Sequence, residues 1–321
     1  MEYKLFKKVV TERFLEFLPE EYKDAEIIIR PIEKVNETLD GLSVIPSQKG
    51  TAISPALYIN GMYEYYLETK DLNDTLAKSA ESFMKAVEGT DNIDIKLSSL
   101  MDANAVKDKI VFQLINTAQN KQMIENMPHR SFCDLTLIYR IVVKLDEDGL
   151  ASIPIRKDLE KELGISEEQM FRLAKKNTRR LMPPVIKPMS EVVKEMLMLN
   201  GMPEEVANVM VAELPSQQMY VVNNNKKINV ATNIVYETVL HELAEQLETD
   251  LYIILSSIHE FIVAGTDMGD PDLLAQMVAV FNMDVDLKDR LSNQVYFYDR
   301  MLRKVTNITD TPNKRVDGIL A

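Results

Sequence analysis

The sequence predicts an α+β protein in which helices pack on small, mostly antiparallel sheets, arranged in two domains. Pairs of short β-branched and aromatic runs are joined by brief turns, which is typical of antiparallel hairpins. Amphipathic segments with helical spacing separate these hairpins. A chain of 321 residues is also longer than one hydrophobic core usually supports, which favours two domains.

The N-terminal part is predicted to hold helices around one hairpin. Apolar residues at helical spacing precede Pro19, which ends the first helix. Two strand-like runs then flank Asn36 and Glu37. The predicted elements are a helix at 2–18, strands at 25–35 and 38–45, and helices at 72–87 and 105–116.

The remaining chain is predicted to form a second α+β domain. A strand at Cys133–Leu145 turns at Asp146–Gly149 into a partner strand. Ser166 is a good N-cap for a helix that has acidic residues in its first turn. The C-terminal unit is predicted as strand 219–222, helix 231–247, hairpin strands 250–255 and 259–264, helix 273–281 and strand 295–298.

Domain boundaries follow from polar and proline-containing stretches. We predict an N-terminal helical domain with a small hairpin at residues 1–127. An α+β domain with an acidic C-terminal strand-helix-hairpin unit follows at residues 128–305. Residues 306–321 are predicted to be a loose polar tail.

Composition narrows the possible classes of protein. The single cysteine, Cys133, excludes an internal disulfide framework and indicates a cytoplasmic protein. No apolar run reaches the length of a membrane span, and a sequence pI near 4.9 disfavours direct nucleic-acid binding. The 18 methionines are interpreted as filling core gaps, although methionine also makes adaptable contact surfaces.

Charge is distributed unevenly along the chain. Residues 231–300 contain 13 Asp and Glu against 3 Lys and Arg, so they carry −10 of the net −13. This predicts an acidic C-terminal surface that binds a basic protein partner. A basic run precedes it and could bind phosphate or an acidic partner, form a solvated face, or meet the acidic region inside the molecule. Its residues are Arg172, Lys175, Lys176, Arg179, Arg180 and Lys187.

A short motif in the helix at 231–247 is similar to a zinc-hydrolase helix. In His241-Glu242-Leu243-Ala244-Glu245, two ligands one turn apart would bind the metal. Here Glu245 replaces the second histidine, and no third ligand with a suitable context is evident. We therefore expect no metal. In the absence of a phosphate-binding glycine loop or a cysteine cluster, we also expect no cofactor.

The predicted hairpin at 250–264 brings Ser256, Ser257, His259 and Glu260 to its tip. A hydroxyl nucleophile needs an imidazole within hydrogen-bonding reach, and Ser257 and His259 are close enough in sequence. However, neither a glycine-flanked nucleophile turn nor an oxyanion hole is evident. Turn hydrogen bonding is the competing interpretation.

Four phrases of the sequence together resemble a known family. They are ISPALYINGMYEYY (53–66), VKDKIVFQLINTAQN (106–120), LYIILSSIHE (251–260) and LSNQVYFYD (291–299). The chain resembles an uncharacterised domain-of-unknown-function family of Gram-positive, gut-type bacteria and mobile elements, and is more distantly similar to YtpQ-like proteins. The resemblance implies a cytoplasmic α+β protein and assigns no catalytic residues.

Two functional hypotheses follow from the sequence. The first is a non-enzymatic protein-interaction or regulatory module that uses the acidic C-terminal surface. The alternative is a hydrolase that uses Ser257 and His259.

Overall fold

The computed structural model describes residues 1–46, 55–92, 102–146, 149–212, 219–224, 226, 228–283 and 285–310. Helices and antiparallel sheets alternate along it, so the predicted α+β class is confirmed. The chain divides into two compact units, residues 1–96 and 97–321. Residues 311–321 of the predicted tail, and Glu147 and Asp148 of the predicted turn, lie outside the described residues.

The first unit is a small sheet covered by helices. Its strands, in the order β1-β2-β3, are β1 (Glu26–Lys34), β2 (Glu37–Ile45) and β3 (Ala56–Tyr58). Its helices are α1 (Tyr3–Arg13), α2 (Ile59–Thr69) and α3 (Leu72–Asn92). The predicted hairpin is present, and Asn36 makes its turn with a φ of 63°. Phe6, Phe14, Leu42 and Phe83 are fully or almost fully buried in the core of this unit.

The second unit contains a four-stranded antiparallel sheet. Its strands are β4 (Ile110–Asn116), β5 (His129–Phe132), β6 (Leu135–Asp146) and β7 (Gly149–Pro154). The long central strand β6 pairs with β4 along one edge, and with β5 and β7 along different parts of the other. Two short helices, α4 (Ala103–Val106) and α5 (Lys121–Glu125), flank β4.

Two predictions in this region are wrong. Residues 105–116 were predicted as a helix, but 110–116 form β4, in which all residues except Gln113 are buried. An apolar run buried on both faces does not distinguish strand from helix by its spacing. Cys133 was placed in a strand, but it lies in the turn between β5 and β6 with a φ of 53°.

The division of the chain into units also differs from the predicted boundary at 127/128. Every residue of β4 pairs with β6, so this segment is part of the second unit by its hydrogen bonding. The predicted tail also begins in ordered structure, because residues 306 and 307 belong to strand β13 (Lys304–Asn307).

A six-stranded antiparallel sheet completes the second unit. Its order is β13-β12-β10-β11-β9-β8. The strands not yet located are β8 (Val185–Pro188), β9 (Met219–Asn223), β10 (Leu251–Ile254), β11 (Phe261–Gly265) and β12 (Val295–Asp299). The predicted hairpin at 250–264 is present as β10 and β11.

The two faces of this sheet have different neighbours. On the inner face, Ile253, Val263 and Tyr296 join a core that also contains Phe112 and Tyr139 of the four-stranded sheet. The helices beside this core are α6 (Lys157–Leu163), α7 (Glu167–Leu181) and α10 (Glu237–Leu247). The predicted helix at 231–247 starts only at Glu237, because residues 230–235 form a 3-10 turn.

Three further helices lie outside this core: α8 (Met189–Leu199), α9 (Glu204–Ala212) and α11 (Pro271–Phe281). On the outer face of the sheet, Ile254, Ile262 and Val295 pack against Ala275 and Val278 of α11. Alternating residues of β10, β11 and β12 therefore pack into two apolar layers, one on each face of the sheet.

Candidate functional site

Ser256, Ser257, His259 and Glu260 lie in the connection between β10 and β11, as predicted from the sequence. Ser257 is only 7% exposed, and its hydroxyl oxygen accepts a hydrogen bond from the backbone N–H of His259 at 3.2 Å. The His259 Nε2 lies 3.1 Å from Asp289 Oδ2. The hydroxyl thus has the role that serines commonly play in turns.

Backbone hydrogen bonds hold this connection against residues 289–291. The N–H of Ile258 donates to the carbonyl of Asp289, and the N–H of Leu291 donates to the carbonyl of Ser256, each at 2.9 Å. The His259–Asp289 contact continues the same pairing through side chains. Together these contacts give Ser257 and His259 a structural role, which is to hold the connection between β10 and β11 against residues 289–291.

His241 and Glu245 lie one turn apart on α10, and each contacts an arginine. Arg303 Nη2 is 2.8 Å from His241 Nε2, and Arg300 Nε is 3.7 Å from Glu245 Oε1. Because a guanidinium only donates hydrogen bonds, Nε2 is the acceptor in this contact. Within the described part of the chain, no three His, Cys, Asp or Glu side chains are grouped as a metal site would need.

The basic run lies mainly on the exposed face of α7. Arg172 pairs with Glu168 at 3.2 Å on the same helix. Arg179 donates to the hydroxyl of Thr238 in α10 at 3.0 Å, and Arg180 donates to the carbonyl of Asp108 at 2.7 Å. Lys175 and Lys176 are exposed beside them. Arg179 and Arg180 therefore attach α7 to its neighbours.

The outer side of α11 is an exposed apolar surface. Leu273, Met277 and Val280 are 59%, 55% and 61% exposed. Their spacing of four and three residues places them on one side of the helix, opposite the buried Ala275 and Val278. We call Leu273, Met277 and Val280 the α11 stripe. The sequence signal for it was a helix that is apolar all round.

Unpaired carboxylates border the α11 stripe. Residues 261–287 contain five aspartates and no lysine or arginine. Asp267, Asp270 and Asp272 are exposed at the N-terminal end of α11, and within the described residues none of them forms an ion pair. The Asp270 side chain accepts a hydrogen bond from the N–H of Asp272 at 2.9 Å, which caps the helix.

A second apolar surface on α8 and α9 differs in its charges. It exposes Met196, Met198, Leu199, Val206, Val209 and Met210. Two of its four glutamates have basic partners, since Lys194 pairs with Glu204 and Lys187 pairs with Glu195. At α11, by contrast, none of the three exposed aspartates has an ion-pair partner among the described residues. Several methionines are exposed on these two surfaces, so the prediction that methionines fill gaps in the core applies to only some of the 18 methionines.

The chain is an α+β protein in which helix α11 exposes apolar side chains beside aspartates that form no ion pair within the described residues. It belongs to a family of unknown function, DUF5688, whose model matches residues 3–300. No curated protein and no solved structure matches it. None of the described helices combines the length and apolar character needed to cross a bilayer.

The family match confirms the part of the resemblance that concerned a domain of unknown function. A bacterial host, a gut or mobile-element setting and similarity to YtpQ-like proteins stay predictions.

Proposed function

We propose that this protein is a non-enzymatic protein-interaction module of the cytoplasm, which binds a basic amphipathic segment of a partner protein along the α11 stripe. The observation that carries the proposal is the exposure of Leu273, Met277 and Val280 next to carboxylates that form no ion pair in the described part of the chain. Apolar side chains on one helix face bind the apolar face of a partner helix in many complexes.

The two features of the surface contribute differently to binding. Burial of the three apolar side chains supplies affinity, in proportion to the area removed from water. The aspartates select a partner of opposite charge and accelerate its association, with an effect that salt weakens. Methionine at the centre adapts its shape to the contacting residue. Because three side chains make a small contact area, the complex is expected to be transient.

The chemistry of the partner follows from this pairing. A segment with apolar residues at helical spacing, flanked by lysine or arginine, complements both the α11 stripe and Asp267, Asp270 and Asp272. Nucleic acid does not, because its phosphates would face carboxylates. Direct nucleic-acid binding therefore has no place in the proposal, and neither does a metal or cofactor.

A defined peptide tests this proposal. The probe is a labelled 14-residue helical peptide with leucines on one face and lysines elsewhere, and its fluorescence anisotropy is titrated with the full chain. The double variant Leu273→Ser/Met277→Ser should weaken binding about tenfold or more, since two buried apolar contacts are lost. The matched control is Leu199→Ser, which removes a side chain that is 87% exposed on α8.

Three outcomes would overturn the proposal. They are equal weakening by Leu199→Ser, equal binding of a peptide in which glutamates replace the lysines, and binding that does not change between low and high salt. Analytical ultracentrifugation of the chain alone tests whether a second copy of the chain, instead of a partner protein, covers the α11 stripe. Dimerisation that the Leu273→Ser/Met277→Ser variant abolishes would assign the α11 stripe to a second copy of this chain.

The hydrolase alternative has less support from the geometry. The Ser257 hydroxyl already accepts a turn hydrogen bond, and the side chain is nearly buried. Its test is a screen of ester, peptide and phosphate substrates. Hydrolysis by the unmodified chain that is lost in a correctly folded His259→Ala variant would favour the hydrolase over the interaction module.

A further inference from the structure

A cavity of about 280 Å³ lies in the second unit, away from the α11 stripe. Residues of β5, β6, α7, α10, β12 and β13 line it, together with the 3-10 turn at 230–235 and Arg303. Its walls are mostly apolar, and they include Phe132, Leu137, Phe171, Ile234, Leu240 and Val305. This volume is near the lower end of the range for small-molecule sites, about 300–1,000 Å³.

Tyr298 lines the cavity with a hydroxyl group that has no hydrogen-bond partner among the residues that the structure describes. The residue is 1% exposed, and its hydroxyl oxygen is buried. An unpaired buried hydroxyl is unfavourable, and native structures contain few such groups. Burial raises the pKa of the phenol, and Glu237 raises it further while Arg303 lowers it. Glu237 and Arg303 also line the cavity. Because its pKa is raised, the Tyr298 phenol stays protonated and can donate a hydrogen bond.

The charged groups around the cavity favour an anion. Arg130, Arg303 and Lys304 line it together with one carboxylate, Glu237, so the lining carries three positive charges and one negative charge. This is the reverse of the chain as a whole, whose net charge is −13. Lys304 is exposed and makes no ion pair within the described residues.

The two arginines are already held in place. Arg130 Nη2 lies 2.8 Å from Glu167 Oε2 and 2.7 Å from Glu168 Oε2, and its guanidinium stacks 3.8 Å above the ring of Phe171. Arg303 Nη1 lies 3.1 Å from Glu237 Oε1. Cations that other side chains hold in position need little reordering when a ligand binds. Lys304 is therefore the cation that can move toward a bound ligand, because its ammonium group is carried on a flexible side chain.

We propose that this cavity binds a small organic monoanion with an apolar body, such as an aromatic or branched carboxylate, whose charged group accepts a hydrogen bond from the Tyr298 hydroxyl. The apolar walls enclose the body of the ligand, and Lys304 and Arg303 balance its charge. The proposal does not rest on the function proposed for α11, because none of the α11 stripe residues lines the cavity.

The test compares an anion with its neutral isostere. Isothermal titration calorimetry and ligand-observed NMR measure binding of 2-naphthoate and of 2-naphthamide to the full chain. Naphthoate should bind about tenfold more tightly, since only the carboxylate gains from the surrounding cations. Tyr298→Phe should weaken naphthoate binding by about tenfold, because it removes a hydrogen bond to a charged group. Lys304→Gln should weaken it several-fold and reduce its salt dependence.

Two control variants distinguish binding in this cavity from binding elsewhere on the chain. Tyr296→Phe removes a phenol hydroxyl from the same strand, but that hydroxyl has a protein partner, so naphthoate affinity should not change. Leu273→Ser/Met277→Ser should also leave naphthoate binding unchanged, which distinguishes failure of this site from failure of the α11 proposal. Equal affinity for naphthamide, unchanged affinity in Tyr298→Phe, or no binding at millimolar naphthoate would each overturn the proposal.

Discussion

Tyr296 and Tyr298 lie two residues apart on β12 and on the same face of its sheet, yet among the described residues only the Tyr296 phenol has a hydrogen-bond partner. The Tyr296 hydroxyl donates to Asp134 Oδ1 at 2.6 Å, and the Ser292 hydroxyl donates to the other oxygen of that carboxylate at 2.9 Å. The Tyr298 hydroxyl is buried without a partner. The two side chains are thus chemically identical, but their hydroxyls contribute differently to the stability of the fold.

Phenylalanine substitutions should separate the two tyrosines in stability. Tyr296→Phe should lower the free energy of unfolding by about 1–3 kcal/mol, because Asp134 loses a buried donor. Tyr298→Phe should leave it unchanged or raise it by about 1 kcal/mol, because no hydrogen bond is lost and an unpaired hydroxyl is removed. Urea denaturation followed by circular dichroism measures both. A loss in Tyr298→Phe as large as that in Tyr296→Phe would show that the Tyr298 hydroxyl has a structural partner.

Glu167 is expected to stabilise the fold through Arg130. Arg130 donates to both oxygens of Glu167, at 3.1 and 2.8 Å, and the Tyr139 hydroxyl donates to Glu167 as well. Glu167→Gln keeps the shape but removes the charge, so the free energy of unfolding should fall by about 1–2 kcal/mol, an effect limited by the partial exposure of the pair. The control Arg172→Gln breaks an exposed pair on the same helix and should leave the urea midpoint unchanged.

Asp40 should make the first unit sensitive to acid. A hydrogen bond from Lys7 lowers the pKa of this carboxyl, burial opposes the shift, and a hydrogen bond from Tyr3 supports it. Because the folded pKa lies below the unfolded value of about 3.9, the stabilisation is present above that value and is lost as pH falls through the folded pKa. Both side chains are partly exposed, so the effect is at most about 1 kcal/mol.

Hydrogen exchange of the β1 and β2 amides measures this effect locally. Asp40→Asn should weaken protection at neutral pH and flatten its decline in acid. Glu12→Gln, which breaks the long and exposed contact with Lys8, should change neither. Equal acid sensitivity in Asp40→Asn and the unmodified chain would assign that sensitivity to other carboxyls.

Cys133 should be a poor nucleophile at neutral pH. Although Cys133 is exposed by its surface area, partial desolvation of its thiol, together with the neighbouring Asp134 carboxylate, raises the pKa of Cys133 to about 11. Since the thiolate is the reactive form, alkylation by iodoacetamide should be slow at pH 7.5 and should rise about tenfold per pH unit below that pKa. The same chain in concentrated urea should react with the ordinary thiol pKa of about 8.5. Equal rates in the folded and unfolded chain would contradict the shift.

Local features were the ones that the sequence predicted well. Ser166 was predicted as an N-cap, and its side chain accepts a hydrogen bond from the N–H of Gln169 in a complete capping box. The hairpin of β10 and β11 and the turn at Asn36 were also predicted correctly. In each case the interacting residues are close in sequence, so spacing and residue type contain the information.

Long-range features were missed for a physical reason. The strand β4 has buried residues on both faces, so no alternation marked it as a strand. Nothing near Tyr298 in sequence indicated that it would line a cavity together with Arg130, which is 168 positions away. The α11 stripe could not be predicted, because the sequence of an apolar helix does not show which of its sides the sheet covers.

The sequence by itself determined the α+β class, the hairpins, the helix caps and the acidic character of residues 231–300, because these depend on local pattern and composition. Only the tertiary structure decided which carboxylates are paired, which tyrosine hydroxyl has a hydrogen-bond partner, and which apolar helix face meets water. Those properties depend on contacts between residues far apart in the chain, whose energies are set by the packing that brings them together.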